Sequence, residues 1–357
     1  MKNQSVLSGV RVVEFSAIGP VPWAAMVLAD MGADVVRIVK EGTKHDTAML
    51  RGRRVLRIDL KTEAGVNDAK KVIKRADILL EGMRPKVMER LGLGPSVCFP
   101  LNPKLVYGRM TGWGQTGPLA QTAGHDINYI ALTGALHAIG REKPVPPLNL
   151  IGDYGGGAAF LIIGVLAALA NVRAGGNGQV VDAAMVDGAA LLMALQYERL
   201  ASGEWRDERG ANVLDGGAPW YDVYETLDGK YIALGAIEPQ FYQALLDGLD
   251  LSASELPDRN VRENWPEIRR IFASRIIGRT RQDWESCFAG TDACVSPVLS
   301  MKEAPEHSHN AARNVFEQRE GVYIPTLAPR FASMENSQLA ERAENAELEQ
   351  ILEHWAQ

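Results

Sequence analysis

A histidine and three carboxylates in this sequence sit where an extended run gives way to a helical pattern, the place in a fold from which a side chain reaches a bound molecule. His125 and Asp126 lie in AGHDINY (123–129), after Gly124 and just before an apolar stretch, and Asp153 lies in LIGDYGGG (150–157), ahead of three glycines. An imidazole exchanges a proton near neutral pH, and a carboxyl partner can do so from the opposite side of a substrate carbon. Spacing alone leaves a second reading open, because both aspartates also suit a helix N-cap and the glycines admit either a ligand or another backbone. Glu238, in GAIEPQF, precedes a proline and so ends an extended run. It reads either as a helix N-terminal charge or as a carboxylate offered to another surface. His137, in ALHAIG, reads as a core or supporting residue.

Other patterns carry less chemistry. GWGQTG (112–117) matches G-x-G-x-x-G, but Pro118 and a polar loop follow where a dinucleotide fingerprint needs a helix. The glycines still mark the carboxyl end of a strand. His307 and His309 form an H-x-H without a third ligand at a metal spacing, and Cys98, Cys287 and Cys294 are too scattered for a zinc site or a disulfide framework. No G-x-S-x-G elbow or P-loop is present. No metal site is expected.

The elements that must position these groups begin with VRVVEF, PWAAMVLADMG and ADVVRI, a strand, a helix and a strand over 10–38, which make a βαβ unit and imply a parallel sheet. A helix over about 62–75 leads to the strand ADILLEG, and KLVYGRMTG is a further buried strand. A long apolar helix over 155–171, the strand QVVDAAM and a helix over about 187–201 complete the pattern. Then composition shifts. Residues 201–219 read as a linker, and WYDVYETLDGKYIALGAI reads as a hairpin turning at Asp228-Gly229 with a type I′ turn. Helices follow near 239–247, 263–276 and 280–289, and VSPVLS is extended. AELEQILEHWAQ closes the chain with Leu348, Ile351, Leu352 and Trp355 on one stripe. The expectation is an α/β fold: a large Rossmann-like domain with a parallel sheet over 1–200, completed by 320–357, and a smaller α+β domain over 220–310. Residues 311–357 form the return linker and C-terminal helix.

The 357 residues carry a formal net charge of −6, which argues against nucleic acid, yet residues 37–90 hold fifteen Lys and Arg against eight Asp and Glu. That stretch is net +7 within an otherwise acidic chain. Residues 154–172 are uncharged and nearly long enough to span a bilayer, which takes about 20 apolar residues. Their glycines and Asn171 favour a helix buried against a sheet, so no membrane is expected. The start lacks a signal-peptide pattern, few cysteines suit a reducing compartment and the final WAQ is not an S-K-L signal. A cytoplasmic location is the expectation.

With these residues in view, TGWGQTGPLAQTAGHDINYIALTG, PPLNLIGDYGGGAAFL, GQVVDAAMVDG, RGANVLDGGAPWYDVYE and GAIEPQFY resemble the family III CoA-transferase superfamily, in its branch that racemises 2-methylacyl-CoA thioesters. The resemblance runs from LSGVRVVEF to APRFA at 328–332. It implies an interlocked homodimer whose active site lies between the large domain of one subunit and the small domain of the other. By it, His125 and Asp153 match the acid/base pair, and Glu238 matches a carboxylate reaching the histidine from the partner. Arg37, then Ile58, Asp59, Leu60 and Lys61, then Gly82, Met83 and Arg84, and finally Arg90 match positions that bind CoA. The segment from Gly124 to Tyr129 matches the wall around the thioester. Phosphates need clustered cations, which residues 37–90 contain. Lys70, Lys71, Lys74 and Arg75 read instead as an exposed helix face. One departure is Val39-Lys40-Glu41-Gly42, where relatives often have a charged residue and proline.

The implied reaction is 1,1-proton transfer at C2 through an enolate, with CoA as part of the substrate and no cofactor. Asp126 is placed for positioning, beside backbone N–H groups that would stabilise the enolate oxygen. An alternative is a CoA-transferase using Asp153 as nucleophile for an acyl anhydride, and a third is a non-catalytic acyl-CoA binder. Branched fatty-acyl, sterol-derived, bile-acid and aryl-propionyl thioesters all share the reacting group, which points to lipid and fatty acid metabolism.

Overall fold

Short runs of β-branched residues with both faces apolar form the centre of the first unit. The computed structural model describes residues 5–43, 47–334 and 339–356; Lys44 and Asp46 of the cationic stretch lie outside them. The chain divides into two units, one of residues 1–136, 146–194 and 317–357, the other of residues 137–145 and 195–316. The segment read as a linker therefore belongs to the second unit. There Asn212, buried, is held by the Asp215 carboxylate and the carbonyls of Arg206 and Glu208.

In the first unit, β1 (Arg11–Phe15), α1 (Pro20–Asp30) and β2 (Asp34–Val39) make the βαβ start. β3 (Arg53–Arg57), α2 (Glu63–Ile73), β4 (Ile78–Glu81), α3 (Val87–Arg90), α4 (Pro95–Leu101) and β5 (Val106–Thr111) follow. After α5 (Asp126–Ala131) and α6 (Ala135–Ala138) come a π-helix (Leu150–Ala159), α7 (Phe160–Arg173), β6 (Val180–Ala184) and α8 (Met185–Leu192). The helix read over 187–201 is two helices, broken at Met193, with α9 (Ala194–Ser202) the second.

The second unit packs β7 (Val223–Glu225), β8 (Tyr231–Leu234), α10 (Pro239–Gly248), α11 (Trp265–Ile276), α12 (Arg281–Phe288) and β9 (Val295–Pro297), then α13 (Ser308–Ala312), around a core that includes Trp220, Phe272 and Trp284. β9 pairs antiparallel with β8. The hairpin differs from a two-residue type I′ turn. Glu225 pairs with Tyr231, Thr226 N–H reaches Lys230 O and only Gly229, at φ +69°, has a positive angle. This is the longer loop in which one left-handed residue forms a bulge, so Asp228 need not be left-handed. Chain return is through β10 (Phe316–Arg319), β11 (Val322–Pro325), β12 (Glu344–Asn345) and α14 (Leu348–His354).

The seven-stranded sheet has the order β12-β3-β2-β1-β4-β5-β6, and its pairings are parallel. Strand order reverses between β1 and β4, the place in a doubly wound sheet where loops diverge to open a crevice. Alternate side chains feed two cores: Val12, Val35 and Leu80 face α1 and α7, while Val13, Val36 and Leu79 face α2 and α14. Leu150–Arg173 is long and apolar enough to cross a membrane by length and composition. Leu161, Val165, Ala168 and Leu169 on it are buried in the first of these cores.

β3 was hidden in the sequence because three of its five residues are arginine. The structure resolves the conflict by ion pairing. Arg53, 1% exposed, and Arg37 share the fully buried Glu14, while Arg51 pairs with Asp30 and Arg54 with Asp34. Much of the +7 excess is thus neutralised by acids outside the stretch. Burial lowers the pKa of both Arg37, to about 10, and Arg53, to about 9, which still leaves them cationic near neutrality.

Candidate active site

The π-helix decides where Asp153 stands. Its winding begins at Leu150, earlier than the helix expected from 155, so Asp153 is inside a helical turn rather than in the loop before it. A π-helix bonds each N–H to the carbonyl five residues back, which leaves the first amides without an intrahelical acceptor. The Asp126 carboxylate takes that place. Its Oδ2 accepts the Asp153 N–H at 2.7 Å and its carboxylate also accepts from the Gly152 amide. A Cβ on Gly152 would lie 2.6 Å from Asp126 Oδ2, so only glycine permits this approach.

Asp126 is therefore not the cap of its own helix. His125 occupies the N-cap of α5 in an extended conformation, and its N–H donates to Asn128 Oδ1 at 3.0 Å. With Asn128 supplying that oxygen, the Asp126 carboxylate is free to cap another helix. Asp126 is 6% exposed, and its Oδ1 has no hydrogen-bond partner. Burial raises its pKa, two backbone amides oppose the rise, and the charge of Asp153 adds to it.

Asp153 Oδ2 accepts from Asn149 Nδ2 at 3.1 Å. On its other side a Cβ at Gly19 would come within 3.6 Å of that oxygen. Gly19 is the N-cap of α1 at φ +73°, in the loop after β1. Asp153 thus sits at the positive end of an eleven-residue helix, beside Tyr154, whose ring is 5.6 Å from that of Trp23. Of the three glycines after it, Gly156 serves a backbone: a Cβ on it would be 2.4 Å from Ala189 N, and one on Gly188 would be 1.9 Å from Gly156 O. The π-helix lies directly on α8.

The His125 segment is fixed over the end of β5. Tyr129 OH donates to Gly124 O, the Tyr129 ring meets Trp113 edge-on at 4.8 Å, and a Cβ on Gly112 or Gly124 would collide with the Tyr129 ring. GWGQTG is this packing platform, with no helix opening from it. Burial pushes the Tyr129 phenol up, Asp153 adds to the shift and Arg84 opposes it. The cation expected for CoA therefore acts on the same phenol as the aspartate expected to exchange protons.

The geometry is a histidine and a carboxylate on two elements joined by a third side chain, Asp153 against the loop after β1 and the His125 segment over the end of β5. Residues 7–343 match the profile of CoA-transferase family III. The chain belongs to that family. It is 47% identical over 326 residues to a mouse (Mus musculus) protein named alpha-methylacyl-CoA racemase, covering 91% of this chain and 85% of the relative. It is 46% identical over 313 residues to the human (Homo sapiens) protein of that name, covering 87% and 82%. A CAIB/BAIF family protein from Brucella suis superposes with a TM-score of 0.80 at 22% identity, over 99% of both chains, which shows the shared fold.

The positions that the family resemblance marks for CoA gather at the carboxyl edge of the same sheet. Arg37 lies in β2, Ile58 to Lys61 follow β3, and Gly82, Met83 and Arg84 follow β4. Arg37 is the most deeply held: its guanidinium binds Glu14, Ser16 Oγ and Ala17 O, leaving the side chain 5% exposed. Asp59 folds its loop by accepting the Lys61 N–H at 3.0 Å, Leu60 packs on the core beside buried Ile58, and Lys61 is exposed. Met83 N–H donates to Glu81 Oε2 at 2.7 Å, and Arg109 bridges Glu81 to Glu89. A Cβ on Gly82 would be 2.9 Å from Val21 in α1 and 3.1 Å from Ala17, so the loop after β4 meets the β1–α1 connection there. Arg84 and Arg90 are exposed. On α2, Lys71 pairs with Asp68 at the surface, the role expected of that helix face.

Glu238 belongs to the second unit, exposed at the N-cap of α10 before Pro239. His137 is not a core residue. It is exposed and pairs with Asp207 and Arg209, because α6 is only four residues long and buries Ala135 instead. His307 pairs with Glu285, and Cys98, Cys287 and Cys294 are free thiols. Sequence reasoning missed Gly19, Asn128 and Asn149. Of these, Asn128 had a signal, since an amide three residues after an N-cap makes half of a capping box.

Proposed function

We propose that the protein is a racemase of 2-methylacyl-CoA thioesters. From the S epimer, neutral His125 takes the C2 proton while the protonated Asp153 carboxyl gives one to the opposite face; from the R epimer the roles exchange. The bond pair left at C2 passes into the thioester carbonyl as an enolate, whose oxygen is met by the N–H groups of the first turn of α5. CoA lies along the carboxyl edge of the sheet, its phosphates beside Arg84, Arg90 and Lys61, with Arg37 beneath. Each proton step is carried by a side chain of the chain itself, with CoA as part of the substrate.

The observation that carries this reading is the Asp126 bond that holds the Asp153 element against the His125 element. Acyl transfer through an aspartyl anhydride needs a nucleophilic carboxylate but no histidine fixed opposite it. The high identity to relatives named as racemases points the same way. The protein works as an interlocked homodimer in the cytoplasm, with Glu238 of one subunit orienting and supporting the charged form of the other subunit's His125. No nucleic acid or membrane takes part.

The test is to follow pure (S)- and pure (R)-2-methylacyl-CoA with time by chiral analysis. Convergence of both on one mixture is expected. Retention of configuration with CoA moving to an added carboxylic acid would make the protein a transferase.

A further inference from the structure

The backbone that presents Glu238 is held at four points. Ala236 N–H donates to Trp220 O at 3.0 Å, Ile237 N–H to Gly235 O at 3.0 Å, and Tyr242 N–H closes the first turn of α10 on Glu238 O at 2.9 Å. The fourth bond is the one made by a side chain: Arg259 Nη2 donates to Ile237 O at 3.0 Å.

Arg259 is an unusual choice for that task. Its guanidinium carbon lies 4.2 Å from the Tyr242 ring centroid and 5.0 Å from that of Trp220, two rings that themselves meet edge-on at 5.7 Å. The cage gives cation–π attraction on both sides. Among the described residues no carboxylate pairs with it, its Nη1 is buried without a partner, and burial lowers its pKa. An apolar side chain would fill the same cage without stranding a donor. The contact that an apolar side chain could not make is the bond to the carbonyl one residue before Glu238.

We infer that Arg259 is a positioning residue for Glu238, locking the Ile237 carbonyl to the Trp220–Tyr242 cage so that Glu238 is presented in one orientation to the imidazole it supports. The inference rests on the racemase reading for its kinetic consequence, while the anchoring itself is local. It adds a residue that contacts no reacting atom yet sets how well the third carboxylate works.

The test compares Arg259→Met, which fills the cage without a donor, Arg259→Gln, which keeps one, Glu238→Gln, and the double variant R259M/E238Q in the full-length protein. R259M is expected to lower kcat by about 10- to 100-fold with KM for acyl-CoA unchanged, as a small misplacement of a catalytic group does. R259Q restores most of it, and the double variant is no worse than E238Q alone. Hydrogen exchange read by mass spectrometry rises in R259M over the segment around 236–242. Losses that multiply in the double variant, or unchanged exchange over that segment, overturn the proposal. So does a chain that fails to fold or loses Tm with kcat intact, which makes Arg259 a structural member only. If the wild type racemises nothing, the functional reading falls, and the exchange result alone decides the anchoring.

Discussion

Asp126 Oδ2 accepts the backbone N–H of Asp153 at 2.7 Å, and Asp126 directly follows His125. One carboxylate therefore fixes the register between the two elements that carry the proposed bases. A proton moved across a planar carbon needs both bases at set distances on opposite faces, and a small misplacement of one against the other costs about 100-fold.

Removing that clamp separates geometry from chemistry. Asp126→Ala is expected to lower kcat by about 100-fold, whereas Asp126→Asn, whose carbonyl still accepts the amides, keeps most activity. Because burial raises the Asp126 pKa, its folded form binds protons more readily than the unfolded chain, so ionisation lowers stability as pH rises out of the carboxylate range. D126N should match or exceed the wild-type Tm at pH 7 and lose that advantage towards pH 4. A Tm difference that does not change with pH would contradict the raised pKa.

Backbone contact sets the second expectation. A Cβ on Gly188 would sit 1.9 Å from Gly156 O, where no side chain can yield. Gly188→Ala should cost about 1–3 kcal/mol in denaturant unfolding and lower kcat with it, since α8 must move off the π-helix that carries Asp153. Gly175, at positive φ but with open space around it, is the control: Gly175→Ala strains only its own turn and should leave kcat unchanged.

The arginines of residues 37–90 divide into two classes. Arg37→Met leaves the buried Glu14 still paired with Arg53 but short of one hydrogen bond, and should cost about 1–3 kcal/mol of stability. Arg84→Ala and Arg90→Ala should leave Tm unchanged and raise KM for acyl-CoA, with an effect that shrinks as salt rises. Equal Tm losses in all three would remove the distinction.

Sharing of the site between subunits is tested by mixing. Inactive His125→Ala chains and impaired Glu238→Gln chains, unfolded together and refolded, should gain about a quarter of wild-type activity beyond the residual of either alone, because half the dimers are mixed and each holds one intact site. No recovery would place the whole site in one chain.

Much of this was legible in the sequence. The βαβ start and the later strands lie in runs whose period is local, whereas the roles expected of His125, Asp153 and Glu238 came from the family resemblance, because spacing alone left a plain helix-terminal reading open for each carboxylate. β3 was not legible, because Arg53 and Arg54 are satisfied by Glu14 and Asp34 on other elements, as Arg51 just before the strand is by Asp30. How Asp126 positions the site was not legible for the same reason: the donors it accepts from are amides 26 and 27 residues away, on a helix whose π winding no propensity reports. His137 looked apolar in its neighbours, but α6 ends too soon to bury it.

The central claim is that His125 and Asp153 serve opposite faces of one carbon. Enantiopure 2-methylacyl-CoA in D2O, with C2 deuterium and configuration read together for wild type, His125→Ala and Asp153→Ala, tests it most directly. The account predicts deuterium with inversion in the wild type, loss of C2 proton removal from the S epimer in H125A, and loss from the R epimer in D153A. Absence of C2 exchange in the wild type, with CoA passing to a free acid in a way that needs Asp153 but not His125, would contradict it.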